Sequence, residues 1–299
     1  MKILVTGGTV FVSKYVAQYY VNKGYEVYVL NRNSRPQVEG VHLLEADRHN
    51  CKEVLKGHYF DAVLDVTAYT AEDIKDLFAG LEGFGHYIMI SSSAVYPETN
   101  VQPFTEGQSV GLNKFWGQYG TDKIDAEKAL LQVVPKAYIL RPPYLYGPMN
   151  NVYREGFVFE CAEKERKFYI PKGGSMQLQF FHVEDLCKVM DAILEKKPAE
   201  HILNVGNEET ISILDWVKMC YDVVGAPLNI VNVDGAVEQR KYFSFYDYEY
   251  KLDVSRQKAL LNETMDLRDG LQGAYEWYKN NKGEVRRKDF IVFIDENLV

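Results

Sequence analysis

An α/β chain built on a doubly wound parallel sheet is what this sequence predicts, and three observations predict it. Short apolar runs alternate with amphipathic stretches through the first half, the rhythm of strands joined by crossover helices. A Gly7-Gly8 turn stands between the first apolar run and the first amphipathic stretch, where glycines let backbone approach a phosphate. The rhythm breaks after Gly147-Pro148, which predicts a second, less regular unit. With 299 residues and 46% hydrophobic content, the chain has material for a large core.

The elements follow in order. Residues 2–6 read as a buried strand, 13–23 as a helix, 26–30 as the second strand and 42–45 as a short third. Residues 62–66 form the fourth strand, 71–81 a helix, 86–90 the fifth strand, 118–134 a long helix and 137–140 the sixth strand. Right-handed crossovers close such strands into a Rossmann-like sheet with helices on both faces. Further on, 150–172 reads as helix and loop, 183–195 as a helix, 203–205 as a strand and 213–224 as a helix. The expected division is a dinucleotide-binding domain at 1–148, to which 177–206 returns, and a smaller α/β C-terminal substrate lobe made of 149–176 and 207–299.

Composition narrows the partners. A net charge of -8 and a pI near 5.4 oppose nucleic-acid and membrane-surface binding. The one dense basic cluster, Arg286-Arg287-Lys288, reads as a solvated turn. Cysteines 51, 161, 187 and 220 have neither metal-ligand nor redox spacing, so they read as isolated thiols in a reducing compartment, with no metal site. The apolar run at the N-terminus is too short for a signal peptide, and no run approaches eighteen apolar residues. The expectation is a soluble, cytoplasmic protein.

Two short segments carry the chemistry. Tyr119 and Lys123 are four apart, which puts them one turn apart on one helix face. An ammonium near a phenol favours the phenolate, and such a tyrosine exchanges a proton with a substrate hydroxyl near neutral pH. Upstream lies Ser91-Ser92-Ser93-Ala94-Val95-Tyr96, where a serine at a strand end holds the same substrate oxygen. Beside a nucleotide-binding turn, the set suggests alcohol–ketone redox chemistry. The bland alternatives are a structural glycine turn and a surface Tyr–Lys pair.

The second strand ends in Asn31-Arg32-Asn33-Ser34-Arg35. No Asp or Glu is there to hold a ribose 2′-hydroxyl, while arginine suits a 2′-phosphate. NADP is therefore favoured over NAD, against the alternative of a merely solvated loop. Asp47-Arg48 follows the third strand and Thr67-Ala68-Tyr69 the fourth, positions that border adenine, ribose and phosphate.

These motifs, with Leu140-Arg141-Pro142-Pro143-Tyr144-Leu145-Tyr146-Gly147-Pro148, Phe181-His182-Val183-Glu184-Asp185-Leu186 and Asn204-Val205-Gly206, make the chain resemble an extended short-chain dehydrogenase/reductase of the NAD-dependent epimerase/dehydratase group over nearly its whole length. The resemblance implies that Tyr119 is the general acid/base, that Lys123 lowers its pKa and holds the nicotinamide ribose, and that Ser92 holds the reacting oxygen. It implies that Gly7, Gly8, Phe11 and Val12 frame the pyrophosphate. Asn31, Arg32, Asp47, Arg48, Thr67, Ala68 and Ser91 border the rest of the cofactor, with Tyr69 and Pro142 in the same set. Ser93, Tyr144, Arg154 and Arg240 are the candidate substrate contacts. His182 reads as a hydrogen-bonded residue at a helix start.

The chain departs from the group's pattern in four places. Val10 and Ser13 replace two glycines of Thr-Gly-x-x-Gly-Phe-x-Gly. Ser93-Ala94 stands where 4,6-dehydratases carry Asp-Glu, which argues against elimination and leaves epimerisation or carbonyl reduction of a nucleotide-sugar-like substrate. Tyr144 replaces an Asn, and Leu178 an Arg, that epimerases use on the sugar nucleotide, so the substrate departs from a standard one. The resemblance also implies a homodimer through helices 71–81 and 118–134. Competing readings are an RNA binder, as in a chloroplast side branch with the Gly-Gly-Thr-x-Phe turn, and a cofactor-sensing scaffold.

Overall fold

The computed structural model describes residues 1–299. In chain order it contains β1 (Lys2–Thr6), α1 (Phe11–Asn22), β2 (Glu26–Asn31), β3 (His42–Glu45), α2 (Lys52–Leu55), β4 (Tyr59–Asp65), α3 (Ala71–Gly80), β5 (Gly83–Ile90), α4 (Gln118–Val133) and β6 (Tyr138–Arg141). Then come β7 (Tyr144–Tyr146), α5 (Glu155–Glu163), β8 (Phe168–Pro171), β9 (Gln177–Leu178), β10 (Phe180–His182), α6 (Val183–Lys196) and β11 (Ile202–Asn204). The chain closes with β12 (Ile211–Ser212), α7 (Ile213–Val224), β13 (Ile230–Val233), α8 (Ser255–Lys258), α9 (Leu267–Asn281) and α10 (Phe290–Asn297).

Seven strands make one parallel sheet in the order β11-β6-β5-β4-β1-β2-β3. The chain runs outward from β1 through β2 and β3, then restarts at β4 on the other side of β1 and runs outward again. That reversal places a crevice between β1 and β4 at the carboxyl ends of the strands, where ligands bind in such sheets. β1 shows why the strands form. Ile3, Leu4, Val5 and Thr6 are all buried, as expected where helices cover both faces. Aliphatic clusters lie on each side of the sheet. Between β3 and β4 the short α2 was not expected, and β4 and β5 each begin three residues earlier than the apolar pattern marked.

The lobe is built differently. Two-stranded pairs β8–β13, β9–β12 and β7–β10 pack with α5, α7 and α9 around an aromatic core that includes Phe157, Phe168, Phe180, Trp216, Tyr221 and Phe245. Phe180 stacks on Trp216 with ring centroids 5.6 Å apart. The tyrosine-rich composition is largely spent here. The 183–206 segment adds α6 beside α1 and sets β11 on β6, whereas β9 and β10 pair within the lobe. His182 caps α6, its Nδ1 accepting from the Glu184 amide at 3.3 Å. All four cysteines are buried free thiols, no group of three metal-ligating side chains gathers anywhere, and no helix is long and apolar enough to cross a membrane.

Candidate active site

A cavity of about 850 Å³ opens at the β1–β4 crevice and runs to the lobe. Its first wall is the glycine turn. Gly7 and Gly8 have φ of +90° and +93°, a region that L side chains avoid. A Cβ on Gly7 would stand 2.9 Å from Thr67 and Ser13, and one on Gly8 2.6 Å from Val29. Gly7 lines the cavity and Gly8 does not; Gly8 serves the packing of the turn on β2. The two replaced glycines are accommodated. Val10 is extended at φ -138°, and the positive φ of +35° falls on Phe11. Ser13 is buried and its hydroxyl donates to the Val10 carbonyl at 2.9 Å. The Lys14 amide makes the first helical bond, to Val10, so the preceding α1 amides are left for an anion at the positive end of the helix.

The next wall corrects several expectations about side chains. Asn31 lines the cavity, but its amide donates to the Gly7 carbonyl at 2.6 Å and to Gln37 at 3.0 Å. It ties β2 to the turn. Arg48 also lines the cavity, yet its guanidinium is turned inward: it donates to both Asp65 oxygens at 3.2 and 2.9 Å, to Thr67 at 3.1 Å and to the Asp73 carbonyl. Thr6 and Tyr87 also donate to Asp65. Burial, the largest single influence, would raise the Asp65 carboxyl; the Arg48 charge and the hydrogen bonds from Arg48, Tyr87 and Thr6 together hold it below the usual range. Arg48 is thus a buried structural ion pair, not a free contact for adenine. Arg32 and Asp47 pair loosely at 3.7 Å on the rim, where Arg35 also faces the cavity.

A second buried network explains the motifs behind the reacting end. Ser91 donates to Glu127, and Arg141 clamps Glu127 with bonds of 3.0 and 2.6 Å. Arg141 also donates to the Tyr96 hydroxyl, which donates to Asn204 at 2.8 Å. The Ser-rich, Leu-Arg-Pro and Asn-Val-Gly motifs are therefore joined inside the protein. Ser91 lines the cavity, but its hydroxyl is committed to Glu127, which corrects its reading as a cofactor contact.

Ser92, Tyr119 and Lys123 all face the cavity, beside Thr67, Tyr69 and Pro142. Lys123 is buried and donates to the carbonyls of Ala68 at 2.7 Å and Ile90 at 2.9 Å. Ala68 itself is fully buried and contributes only that carbonyl. Desolvation brings the Lys123 ammonium down to about 8. The phenol of Tyr119 is shifted up, not down. Although 40% of the residue is accessible, crowding at its hydroxyl raises the phenol above its ordinary value, the Ser92 hydroxyl draws it partly back, and Tyr69 adds to the rise. Lys123 stands instead 4.7 Å over the Tyr69 ring.

At the lobe end the walls are Trp116, Tyr144, Tyr250, Asn151, Val152 and Arg154. Ser93 donates to the Tyr250 hydroxyl at 3.0 Å, so it is occupied within the wall. Arg154 lies 5.1 Å from the Tyr144 ring centroid and donates to Leu145. Arg240 does not reach this cavity; it lines a side pocket of about 80 Å³ with Lys288. The Arg286–Lys288 cluster is accordingly more than a solvated turn. Alternation sends Arg286 to the main cavity and Lys288 to the side pocket, while Arg287 pairs with Glu160 at 3.1 Å. Trp116, Asn151, Tyr250, Arg286 and Lys288 had no motif to announce them.

A parallel sheet with a glycine turn at its switch point, and Ser92, Tyr119 and Lys123 lining the same cavity, is a Rossmann-like arrangement. The chain belongs to the NAD dependent epimerase/dehydratase family, matched over residues 3–206. It is 26% identical to the chloroplast stem-loop binding protein of 41 kDa b of Arabidopsis thaliana, over 92% of this chain and 78% of that protein. It is 24% identical to the UDP-glucose 4-epimerase of Corynebacterium glutamicum, over 76% of this chain and 82% of the relative. Among solved structures, UDP-glucuronic acid 4-epimerase from Bacillus cereus in complex with UDP-glucuronic acid and NAD superposes with a TM-score of 0.74 at 20% identity, covering 94% of this chain and 99% of that one.

Proposed function

We propose that this protein is a nicotinamide-dinucleotide-dependent epimerase or reductase acting at a carbinol or ketone carbon of a sugar-like substrate. One observation carries the reading: Ser92, Tyr119 and Lys123 line the same cavity as the Gly7 turn. The glycine cradle, in which a Cβ would collide, and the unbonded amides at the start of α1 suit a pyrophosphate. Gly7, Phe11, Val12, Thr67, Tyr69, Lys123 and Pro142 would hold the dinucleotide. Bound there, a nicotinamide supplies a hydride acceptor or donor.

The chain's own residues do the rest. Ser92 donates a hydrogen bond to the reacting oxygen, which fixes it beside Tyr119. Tyr119 takes the proton of a substrate hydroxyl on oxidation and returns it on reduction. Its raised pKa means that it serves as a base only once positive charge and a bound substrate oxygen favour the phenolate. Lys123 is the cation one turn away. No carboxylic acid occupies Ser93 or Ala94, so the site has no partner there for eliminating water. Arg32 and Arg35 on the adenosine rim favour a 2′-phosphate, hence NADP.

Tyr119→Phe is expected to remove turnover while dinucleotide binding persists; retained turnover would overturn the mechanism. The outward residues of α3 and α4, among them Glu72, Lys75, Asp125, Lys128 and Gln132, make polar contacts the basis of the homodimer we expect. Light scattering should give twice the chain mass, and a monomer would refute it. A second reading, RNA binding, draws on the similarity to the stem-loop binding protein. The net charge of -8 opposes it, and a salt-sensitive gel shift with RNA would favour it.

A further inference from the structure

The 80 Å³ side pocket holds three cations and no acid. Arg154, Arg240 and Lys288 line it, and no Asp or Glu does. Arg240 lies on the Tyr246 ring, 4.5 Å from its centroid, and donates to the Ser244 carbonyl. Burial first, then Arg240 and Arg154, push the Lys288 ammonium down. Gathering like charges in a half-dry pocket costs free energy unless an anion joins them. Two further donors lack partners. Tyr144 is 5% exposed with its hydroxyl unbonded, and the Trp116 indole N–H is buried and unbonded. Buried polar groups are normally paired, so three cations around one small space, walled by two residues with unpaired donors, suit an oxyanion.

Size narrows its chemistry. At about 80 Å³ against about 850 Å³ for the main cavity, the pocket is on the scale of one compact anionic group. Tyr153, Phe245 and Phe290 close it behind, and all three belong to the aromatic core of the lobe. Trp116 and Tyr144 line both the pocket and the main cavity, and the Trp116 ring centroid is 6.5 Å from that of Tyr119. A ligand anchored in the pocket therefore reaches the reacting end across a few carbon atoms.

We propose that the substrate is a phosphorylated hydroxy compound, a sugar monophosphate in size, whose terminal phosphate monoester sits among Arg154, Arg240, Lys288, Tyr144 and Trp116 while its carbinol carbon lies at Ser92 and Tyr119. This rests on the redox reading above and replaces a nucleoside diphosphate with a compact anion. Lys288→Gln and Arg240→Gln are the tests, because Lys288 is exposed and the substitutions relieve repulsion. Calorimetry on the full chain would titrate inorganic phosphate, glucose 1-phosphate, glucose 6-phosphate and UDP into each. At least one sugar monophosphate should bind more tightly than inorganic phosphate and lose about tenfold in affinity in each variant, as for one charge-assisted bond; UDP should bind no better than inorganic phosphate. UDP binding tenfold more tightly than the monophosphates, no monophosphate binding, or unchanged affinity in both variants would overturn the proposal. NADP and NAD titrations on the same samples separate the two claims. Dinucleotide binding without phosphate binding ends this proposal alone; phosphate binding without dinucleotide binding ends the redox reading and, with it, the assignment of the ligand as substrate.

Discussion

At the glycine-turn end of the cavity, the inward polar side chains are already matched inside the protein, while Arg32 and Arg35 stay on the rim. Arg48 is clamped on Asp65, Arg141 on Glu127, and Asn31 on the turn itself. What remains for a ligand is largely backbone: the α1 amides and the space above Gly7. At the lobe end the arrangement is reversed. Arg154, Arg240 and Lys288 share a pocket without an acid, and Tyr144 and Trp116 keep unbonded donors. The first end is complete before binding and so suits a constant ligand. The second is left incomplete, and its chemistry decides which substrate completes it.

Substitutions should separate these ends. The largest effect is expected at their junction: Tyr119→Phe should cut turnover by ~10²–10⁴-fold, with dinucleotide affinity unchanged by calorimetry. Next, Arg48→Met leaves Asp65 charged and buried, which should cost ~3–5 kcal/mol of stability in urea unfolding. Lys288→Gln should cost nothing or stabilise slightly; equal losses in the two variants would erase the distinction between a matched and an unmatched end.

Lys123 gives a pH-dependent version of the same contrast. Its pKa is about 8 in the folded protein, against an ordinary 10.5. The folded state therefore binds fewer protons between those values, and stability from this group rises with pH. Its penalty, about 3 kcal/mol from the size of the shift, is full below pH 8 and fades as pH approaches 10.5. The stability gap between wild type and Lys123→Met should move by that amount across this window, in the direction that favours wild type at high pH; a pH-independent gap would contradict the burial account. The smallest effect is at the rim, where replacing Arg32 and Arg35 with Ala should lower the NADP-to-NAD affinity ratio about tenfold.

The parallel sheet was legible because its strands are buried on both faces and read as unbroken apolar runs, as in Ile3-Leu4-Val5. The starts of β4 and β5 were not, because Tyr59 and Gly83 carry no apolar period and are placed by pairing with each other. The motif residues Ser92, Tyr119 and Lys123 do line one cavity, yet the motifs did not show what some neighbouring side chains bind. Arg48 and Ser91 looked like cofactor contacts because their partners, Asp65 and Glu127, are distant in sequence and become visible only when the strands align. The Tyr119–Lys123 pair shows the same limit: four-residue spacing gives proximity on a helix, but not the two carbonyls that engage Lys123. Lys288 and Arg154 are brought together only by the return of the C-terminal segment to the lobe.

The most direct test of the central claim is a parallel calorimetric titration of the purified chain with NADP and NAD. Saturable one-to-one binding, tighter for NADP, is the predicted result. Failure of both dinucleotides to bind would contradict it, because the cradle at Gly7 and the free amides of α1 would then hold no pyrophosphate.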